Sequence, residues 1–427
     1  MGIVNLEEEH VSSSRLTPWI VWLVAISFCA FQFVLRVFPG NVQTELLTEY
    51  QIDATAFGLF SAAYYFGYAG MQIPMAILME KYGPKLIIAL SALLCALGCW
   101  LMVSSTSWNV AILSRFMIGV GSVVGFLGTT KVIVDWFPHQ HHTKIIGMSM
   151  SIGLLGALYG GKPINLLVAQ SSWHAVLSGL GITAAIISLI AFILIKSPKG
   201  KLNAPEVLSA SGKPISWIAQ LLPLLKNKTF IILAIANFLM VGSVEGFADS
   251  WGINYLALGT GIDKADAALL TSVIFLGMLI GAPLLSFIAD KTGLHFKLTS
   301  LCGVLMAISV GLLLIRPEWF SLLGLKALML FVGILSGYQA LVFVIGEGLV
   351  PKHLSNISIA TLNCINMFGG AFFHTVIGKV MDFFSNGQIN ATGIPQYTLE
   401  NYSIGLSVIP MMALLGGLLL ISIKKKQ

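Results

Sequence analysis

The sequence predicts an all-α membrane protein that crosses the bilayer about twelve times, and three observations support this. Of the 427 residues, 56% are hydrophobic and only 10% are charged, whereas soluble domains usually carry about 25% charged residues. The apolar residues fall into runs of about 20, the length that a helix needs to span a bilayer. In lipid only helices and closed barrels satisfy their backbones, and barrel strands are much shorter.

Each apolar run is predicted to be one membrane-spanning helix. The runs lie at Trp19–Phe38, Ala56–Leu78, Leu86–Val103, Ala111–Val134, Ile145–Val168, Ala175–Ile195, Phe230–Leu256, Ala267–Ala289, Leu298–Ile315, Leu322–Ile345, Ile357–Val380 and Tyr402–Ile423.

The segment between the sixth and seventh runs is polar and rich in lysine and proline. We therefore expect residues 1–196 to form an N-terminal six-helix bundle and residues 229–427 a C-terminal one. Residues 197–228 would be a cytoplasmic linker, with a short interfacial helix near Ile215–Leu225. Because Met1–Arg15 is acidic, it does not resemble a cleavable signal peptide.

Lysine and arginine are distributed unevenly among the loops. With a cytoplasmic N-terminus, only three basic residues lie in outside loops: Lys264, Arg316 and Lys326. The inside segments hold Arg15, Lys81, Lys85, Lys144, Lys196, Lys199, Lys201, Lys213, Lys226, Lys228, Lys291, Lys297, Lys352 and Lys424–Lys426. The positive-inside rule then predicts a multi-pass protein of the cell inner membrane with both termini in the cytoplasm.

An internal repeat relates the two halves. Glu80–Gly83 follows the second run and Asp290–Gly293 follows the eighth, and both read acid, lysine, any residue, glycine. The two copies are 210 residues apart. A repeat of six spans is typical of transporters in which two bundles rock about a central site.

The first copy resembles the cytoplasmic loop motif of the major facilitator superfamily, G-x-x-x-D-R-x-G-R-K. Glu80 and Lys81 stand for its acid and arginine, Gly83 and Lys85 are retained, and Ala76 replaces the first glycine. The resemblance implies the major facilitator fold, with twelve transmembrane helices in two pseudo-symmetric six-helix bundles. It also implies a cytoplasmic gate, for which the candidates are Glu80, Lys81, Gly83, Lys85, Asp135, Asp290, Lys291, Gly293 and Glu347.

A second motif lies in the fourth run, where Arg115, Gly119 and Gly121 resemble the R-x-x-x-G-x-G motif of the same superfamily. In relatives this arginine is associated with proton coupling, so Arg115 is a candidate for that role. The alternative is that Arg115 lies near the helix end and extends to the lipid interface.

Three charged residues lie deep inside apolar runs, where an ionisable group costs about 2.5–3.5 kcal/mol and usually serves a function. Arg36 lies in the first run, with Gln32 one turn earlier. Glu245 and Asp249 lie in the seventh run, four residues apart and thus on one helix face. Adding the repeat offset to Arg36 gives position 246, beside Glu245. We therefore predict that these charges face a shared central cavity.

A guanidinium binds a carboxylate through a planar fork, and a carboxylate can receive an ammonium group. Together they predict a zwitterionic substrate, an amino acid or short peptide, with Glu245 and Asp249 also coupling transport to protons as a symporter. The alternative is a permanent salt bridge from Arg36 to Glu245 or Asp249 that only holds the halves together.

Other polar residues are predicted to line the cavity: Tyr64, Tyr65, Tyr68, Tyr338, Gln339, Asn363 and Asn366. Four ionisable residues near helix ends are given no chemical role: Lys131, Lys162, Lys379 and Asp382. We interpret His374 as a satisfied buried histidine.

Two stretches, Phe60–Tyr68 and Glu245–Gly252, resemble the phagosomal nutrient transporters of intracellular bacteria, a branch of the same superfamily. That resemblance implies import of amino acids or related nutrients.

Two other functions remain open. An organic-anion or sugar-phosphate exchanger also uses an arginine in the first span but usually needs a second cation in the seventh, where this chain has acids. A transporter-like sensor would bind solute without moving it.

An enzyme is not expected, because the chain lacks a nucleophile elbow, a phosphate loop and zinc-ligand spacing. The five cysteines lie in apolar runs, and His139, His141 and His142 share a loop beside the headgroups. No metal, cofactor or nucleic acid is therefore predicted. The expected partners are a small-molecule substrate, protons and the bilayer, with the protein working as a monomer.

Overall fold

The computed structural model describes residues 16–196, 217–385, 387 and 395–423. The N-terminal half (residues 16–196) contains α1 Thr17–Asn41, α2 Gln43–Tyr50, α3 Ala54–Val103, α4 Trp108–Ser122, α5 Val124–Trp136, α6 His142–Tyr159, α7 Lys162–Gln170 and α8 Trp173–Leu194. Residues 197–216 of the predicted linker lie outside the described residues. A short helix, α9, occupies Trp217–Lys226, where the sequence predicts one.

The C-terminal half (residues 217–423) continues with α10 Lys228–Met240, a π-helical segment Ser243–Trp251, α11 Gly252–Thr260, α12 Lys264–Thr292, α13 His295–Ile315, α14 Leu322–Ser336, α15 Tyr338–Gly348, α16 Ser355–Phe383, α17 Leu399–Leu406 and α18 Val408–Ile421. Short 3₁₀ helices lie at His139–His141, Pro317–Trp319 and Lys352–Leu354.

Ten continuous helical stretches of the described residues are long and apolar enough to cross a membrane. One of them, α3, is 50 residues long and contains two spans that meet at Gly83. The long helix α16 is not among the ten, because polar residues such as Asn363, Asn366 and His374 lower its hydropathy. Counting both spans of α3 and adding α16 gives the twelve spans that the sequence predicts.

The glycines of the repeated motif make the turns expected of them. Gly83 has φ of +79° and Gly293 has φ of +69°, a region that residues with a Cβ rarely adopt. In α3 this single non-helical residue, followed by Pro84, separates the two spans. The equivalent glycine in the second half ends α12.

The two halves contact each other at one end of the bundle, which we call the closed end and define by Asn41, Ala54, Asp266 and Asp382. Lys162 donates to Asp266 at 2.6 Å, and Lys264 donates to Glu45 at 2.9 Å. Both ion pairs join the halves. Lys162, for which no role was predicted, therefore joins the two halves, because its partner lies 104 residues away in the other half.

Asp382, also given no role, caps a helix of the opposite half. Its Oδ2 accepts from the backbone N–H of Thr55 at 2.7 Å, and its Oδ1 accepts from Ala54 at 3.3 Å. The hydroxyl of Tyr397 donates to the same carboxylate. Burial and Asp382 raise the pKa of Tyr397, so this hydroxyl keeps its proton near neutral pH.

We call the opposite end the open end, because each of its ion pairs in the described part of the chain joins residues of one half. It carries the turns at Gly83 and Gly293. Lys131 contacts Glu80 and Asp135, both at 3.1 Å, and His295 contacts Asp290 at 3.2 Å. The structure therefore shows a conformation closed at one end, with ion pairs between the halves at that end.

We expect Asp382→Ala to loosen the closed end about fivefold. A lost helix cap costs about 1 kcal/mol, and 1.4 kcal/mol is about tenfold in an equilibrium constant. The measurement is maleimide labelling of Ser272→Cys in a background without the native cysteines, because Ser272 is buried against Gly161 of the other half. The control is Asp53→Ala, which removes a cap of α3 supplied from its own half. Equal labelling rates in Asp382→Ala and Asp53→Ala would contradict a role for Asp382 in holding the closed end together.

Candidate functional site

The two buried carboxylates lie on the π-helical segment Ser243–Trp251, between α10 and α11. The N–H of Gly252 bonds the carbonyl of Phe247, five residues back. Such segments are rare and frequently mark functional sites. Glu245 and Asp249 are each only 2% exposed. The local fold thus places two acids together where solvent cannot screen them.

Arg36 of α1 reaches both acids from the opposite half. Its Nη2 donates to Glu245 Oε2, and its Nε donates to Asp249 Oδ2 at 2.6 Å. The guanidinium also lies 5.5 Å from the ring centre of Tyr65. Arg36, Glu245 and Asp249 were predicted to face a shared central cavity, with a direct salt bridge as the alternative. In the structure the three side chains lie together and form the ion pairs that the alternative names, so a substrate site between them stays a prediction.

Tyr65 of α3 completes this cluster, and Tyr64 makes a separate contact. The hydroxyl of Tyr65 donates to Asp249 Oδ2, the oxygen that Arg36 also contacts. The other oxygen, Oδ1, is buried without a hydrogen-bond partner. Tyr64 donates to Gln32 Oε1 at 2.9 Å, one turn before Arg36 on α1. Asp249 Oδ1 is thus the one acceptor of this carboxylate left for another group.

Arg115 is buried, 3% exposed, and donates to two backbone carbonyls of α1. Nη1 bonds Leu35 and Nη2 bonds Arg36, both at 2.7 Å. The alternative that Arg115 extends to the lipid interface is therefore wrong, because α4 directs the side chain into the bundle against α1. Its hydrogen bonds go to carbonyls rather than to a carboxylate.

The remaining predicted lining residues divide by exposure. Tyr338, Gln339 and Asn366 are buried, and Tyr338 donates to the Asn237 carbonyl at 3.4 Å. Gln339 Nε2 and Asn366 Oδ1 are buried without partners. Tyr68 and Asn363 are partly exposed.

His374 differs from its prediction as a satisfied histidine. Its ring lies 5.2 Å from that of Tyr65, and its Nδ1 is buried without a hydrogen-bond partner. It follows Asn366 by eight residues on α16, which places the two about two turns apart. This spacing from Asn366, a predicted lining residue, is the signal in the sequence that could have connected His374 with the site.

The gate candidates lie at the open end. Lys131, which was given no role, is the cation between Glu80 and Asp135. The ammonium of Lys81 lies 5.1 Å from the Tyr82 ring centre, and that of Lys85 lies 4.7 Å from Phe192. Glu347 is exposed. Pairing of these charges across the halves stays a prediction for the opposite conformation.

The chain has two helical halves that share a buried ion cluster and contact each other at one end of the bundle. This arrangement is typical of a membrane carrier. A family profile described as Major Facilitator Superfamily matches residues 21–374. The match covers most of the chain, so the protein belongs to this superfamily and is a transporter, not an enzyme.

Individual relatives are distant. The chain is 26% identical to the choline/ethanolamine transporter flvcr2a of Danio rerio, over 89% of this chain and 84% of that protein. It is 21% identical to the probable galactarate/D-glucarate transporter GudP of Escherichia coli K12, over 88% and 90%. A bacterial homolog of the human lysosomal transporter Spinster, inward-facing and unoccupied, has the same fold with TM-score 0.72, 15% identity and 96% coverage of both chains.

Proposed function

We propose that this transporter carries a zwitterionic metabolite, an amino acid or short peptide, by alternating access with proton symport. The observation that supports this is the buried cluster of Arg36, Glu245 and Asp249, which joins one half to the other. A substrate carboxylate would bind Arg36, and a substrate ammonium would bind the acids. These contacts would replace those that the three side chains now make with each other.

The charge of the cluster supports proton coupling. Glu245 and Asp249 share one directly contacting guanidinium, in a place where each unpaired ion costs several kcal/mol, while Arg115, the other buried cation nearby, gives its Nη1 and Nη2 hydrogen bonds to backbone carbonyls. A proton would supply the second acid with the partner it lacks, and Asp249 Oδ1 is an oxygen without a hydrogen-bond partner that can take the proton. The proton and the substrate ammonium would then share the same pair of acids.

The relatives include transporters of substrates of either charge. One relative transports choline and ethanolamine, which carry a cationic nitrogen, and another is a probable transporter of galactarate and glucarate, which are acids. The alternative is an organic-anion exchanger. Its anionic substrate would be attracted by Arg36 but repelled by the two carboxylates that contact Arg36. A zwitterion complements both kinds of group.

The direction of opening follows from the charge distribution. The positive-inside rule would place the open end, with Lys81, Lys85 and Lys291, in the cytoplasm. The conformation would then be inward-open, in the cell inner membrane, with both termini cytoplasmic. We propose that a monomer performs the cycle, because one chain supplies both halves of the site.

We expect proteoliposomes to accumulate part of an equimolar mixture of the twenty ¹⁴C-labelled L-amino acids when the outside is acidic. Each pH unit of gradient supplies about 1.4 kcal/mol, or up to tenfold accumulation per proton. If uptake of the mixture does not depend on an imposed pH gradient, proton symport is contradicted. A sensor would bind the mixture without exchanging it, so absence of counterflow would contradict transport of this class.

A further inference from the structure

The carbonyls that Arg115 contacts lie in a helix that contains a proline. Pro39 is inside α1 and has no N–H, so the carbonyl of Leu35, four residues earlier, lacks its usual helical donor. Arg115 Nη1 donates to that carbonyl at 2.7 Å. Its Nη2 donates at the same distance to the carbonyl of Arg36. Arg115 of α4 thus supplies the hydrogen bond that α1 cannot make at Leu35. It does so next to Arg36, whose guanidinium is the cation of the site.

The rest of the R-x-x-x-G-x-G motif packs α4 against α3. A Cβ at Gly119 would lie 2.1 Å from the carbonyl oxygen of Tyr64, and one at Gly121 would lie 2.5 Å from that of Ser91. The Arg115 guanidinium also lies 4.5 Å from the Tyr64 ring centre. Gly119 and Gly121 thus contact α3, and Arg115 contacts both α3 and α1, the two helices that supply Tyr65 and Arg36.

We propose that Arg115 is a positioning residue that fixes the Arg36 guanidinium through the backbone of α1, and that Pro39 creates the need for it. In the structure Arg115 donates to carbonyls only, and the carboxylates are reached by Arg36. Its action on the substrate is through Arg36. This assigns the arginine a role other than the proton coupling that its motif implies.

The proposal makes a specific prediction for second-site rescue. Arg115→Gln should raise amide hydrogen exchange in residues 33–42 about tenfold, since hydrogen bonds to charged groups hold that segment. Pro39→Ala supplies a backbone N–H for the Leu35 carbonyl, so the double variant should return most of the way to wild type. Pro74→Ala, which changes a proline of α3, is the matched control and should not rescue. Arg115→Lys should fall between Arg115→Gln and wild type.

Uptake of the amino-acid mixture gives a second readout, which rests on the proposed function. For a positioning residue, Arg115→Gln should raise the half-saturation concentration about tenfold and leave the pH profile unchanged, and Pro39→Ala should lower that concentration again. If wild type transports none of the mixture, the proposed substrate class fails, while hydrogen exchange still decides the role of Arg115.

Three results would overturn the proposal. The first is unchanged exchange of residues 33–42 in Arg115→Gln. The second is hydrogen exchange in Arg115→Gln/Pro39→Ala that is as fast as in Arg115→Gln. If Arg115→Gln alone does not fold, the equivalent result is a double variant that gives no more folded protein. The third is loss of pH-driven accumulation with counterflow intact, which would return Arg115 to proton coupling.

Discussion

Arg36→Gln is expected to lower transport at least about 100-fold in protein that still folds. Truncating one partner of a buried, hydrogen-bonded charge pair between a protein and its ligand costs about 2–5 kcal/mol of binding, and about 3 kcal/mol corresponds to about a 100-fold change. Here the variant leaves Glu245 and Asp249 together without their cation. The measurement is uptake of the labelled amino-acid mixture into proteoliposomes, with size-exclusion and melting profiles of the same preparation.

Two further variants make the Arg36 result decisive. Arg316→Gln removes an exposed arginine that pairs only locally with Glu318 at 3.2 Å, and it should transport normally. Arg36→Gln/Glu245→Gln removes opposite charges together and should recover folding but not transport. If folded Arg36→Gln transports at the wild-type rate, the cluster is a permanent tie between the halves, and the proposed substrate site is wrong.

Gly58→Ala is expected to shift the protein away from the observed conformation at least about tenfold. A Cβ at Gly58 would lie 2.3 Å from the carbonyl oxygen of His374, a backbone atom of the opposite half. Crowding of this kind costs about 1–3 kcal/mol, and separating the halves at the closed end relieves it. The expected result is about tenfold faster maleimide labelling of Ser272→Cys.

The matched control is Gly277→Ala. Its Cβ would also lie 2.3 Å from a carbonyl oxygen, that of Leu330, but both residues belong to the C-terminal half. Opening the closed end cannot relieve this contact, so the variant should lose thermal stability without faster labelling. Similar labelling rates for the two variants would show that the Gly58 contact persists throughout the cycle.

Much of the fold follows from local properties of the sequence. Run length and composition predict the spans because the bilayer sets both, and the repeated acid–lysine–x–glycine turns predict two related halves. The same repeat brought Arg36 to position 246, and in the structure Arg36 contacts Glu245. The pseudo-symmetry of the two halves thus relates a fixed offset in the sequence to a contact in the structure.

The closing contacts could not be predicted in the same way. Lys162 with Asp266 and Asp382 with Thr55 depend on how the two halves rotate against each other, which no local pattern encodes. The π-helical register of Ser243–Trp251 has no signal in the sequence, whose spacing predicts an ordinary helical face for Glu245 and Asp249. Pro39 is visible in the sequence, but its connection to Arg115 appears only when α1 and α4 are placed together.

The direct contact of Arg36 with two acids also bears on how the empty protein resets. A carrier whose arginine contacts both acids without cargo returns with these ions paired rather than bare, which avoids most of the cost of moving an unpaired ion through the low-dielectric interior. Under the proposed symport, each turnover could then finish without a countersubstrate. Efflux into solute-free buffer should then proceed at a rate comparable to exchange.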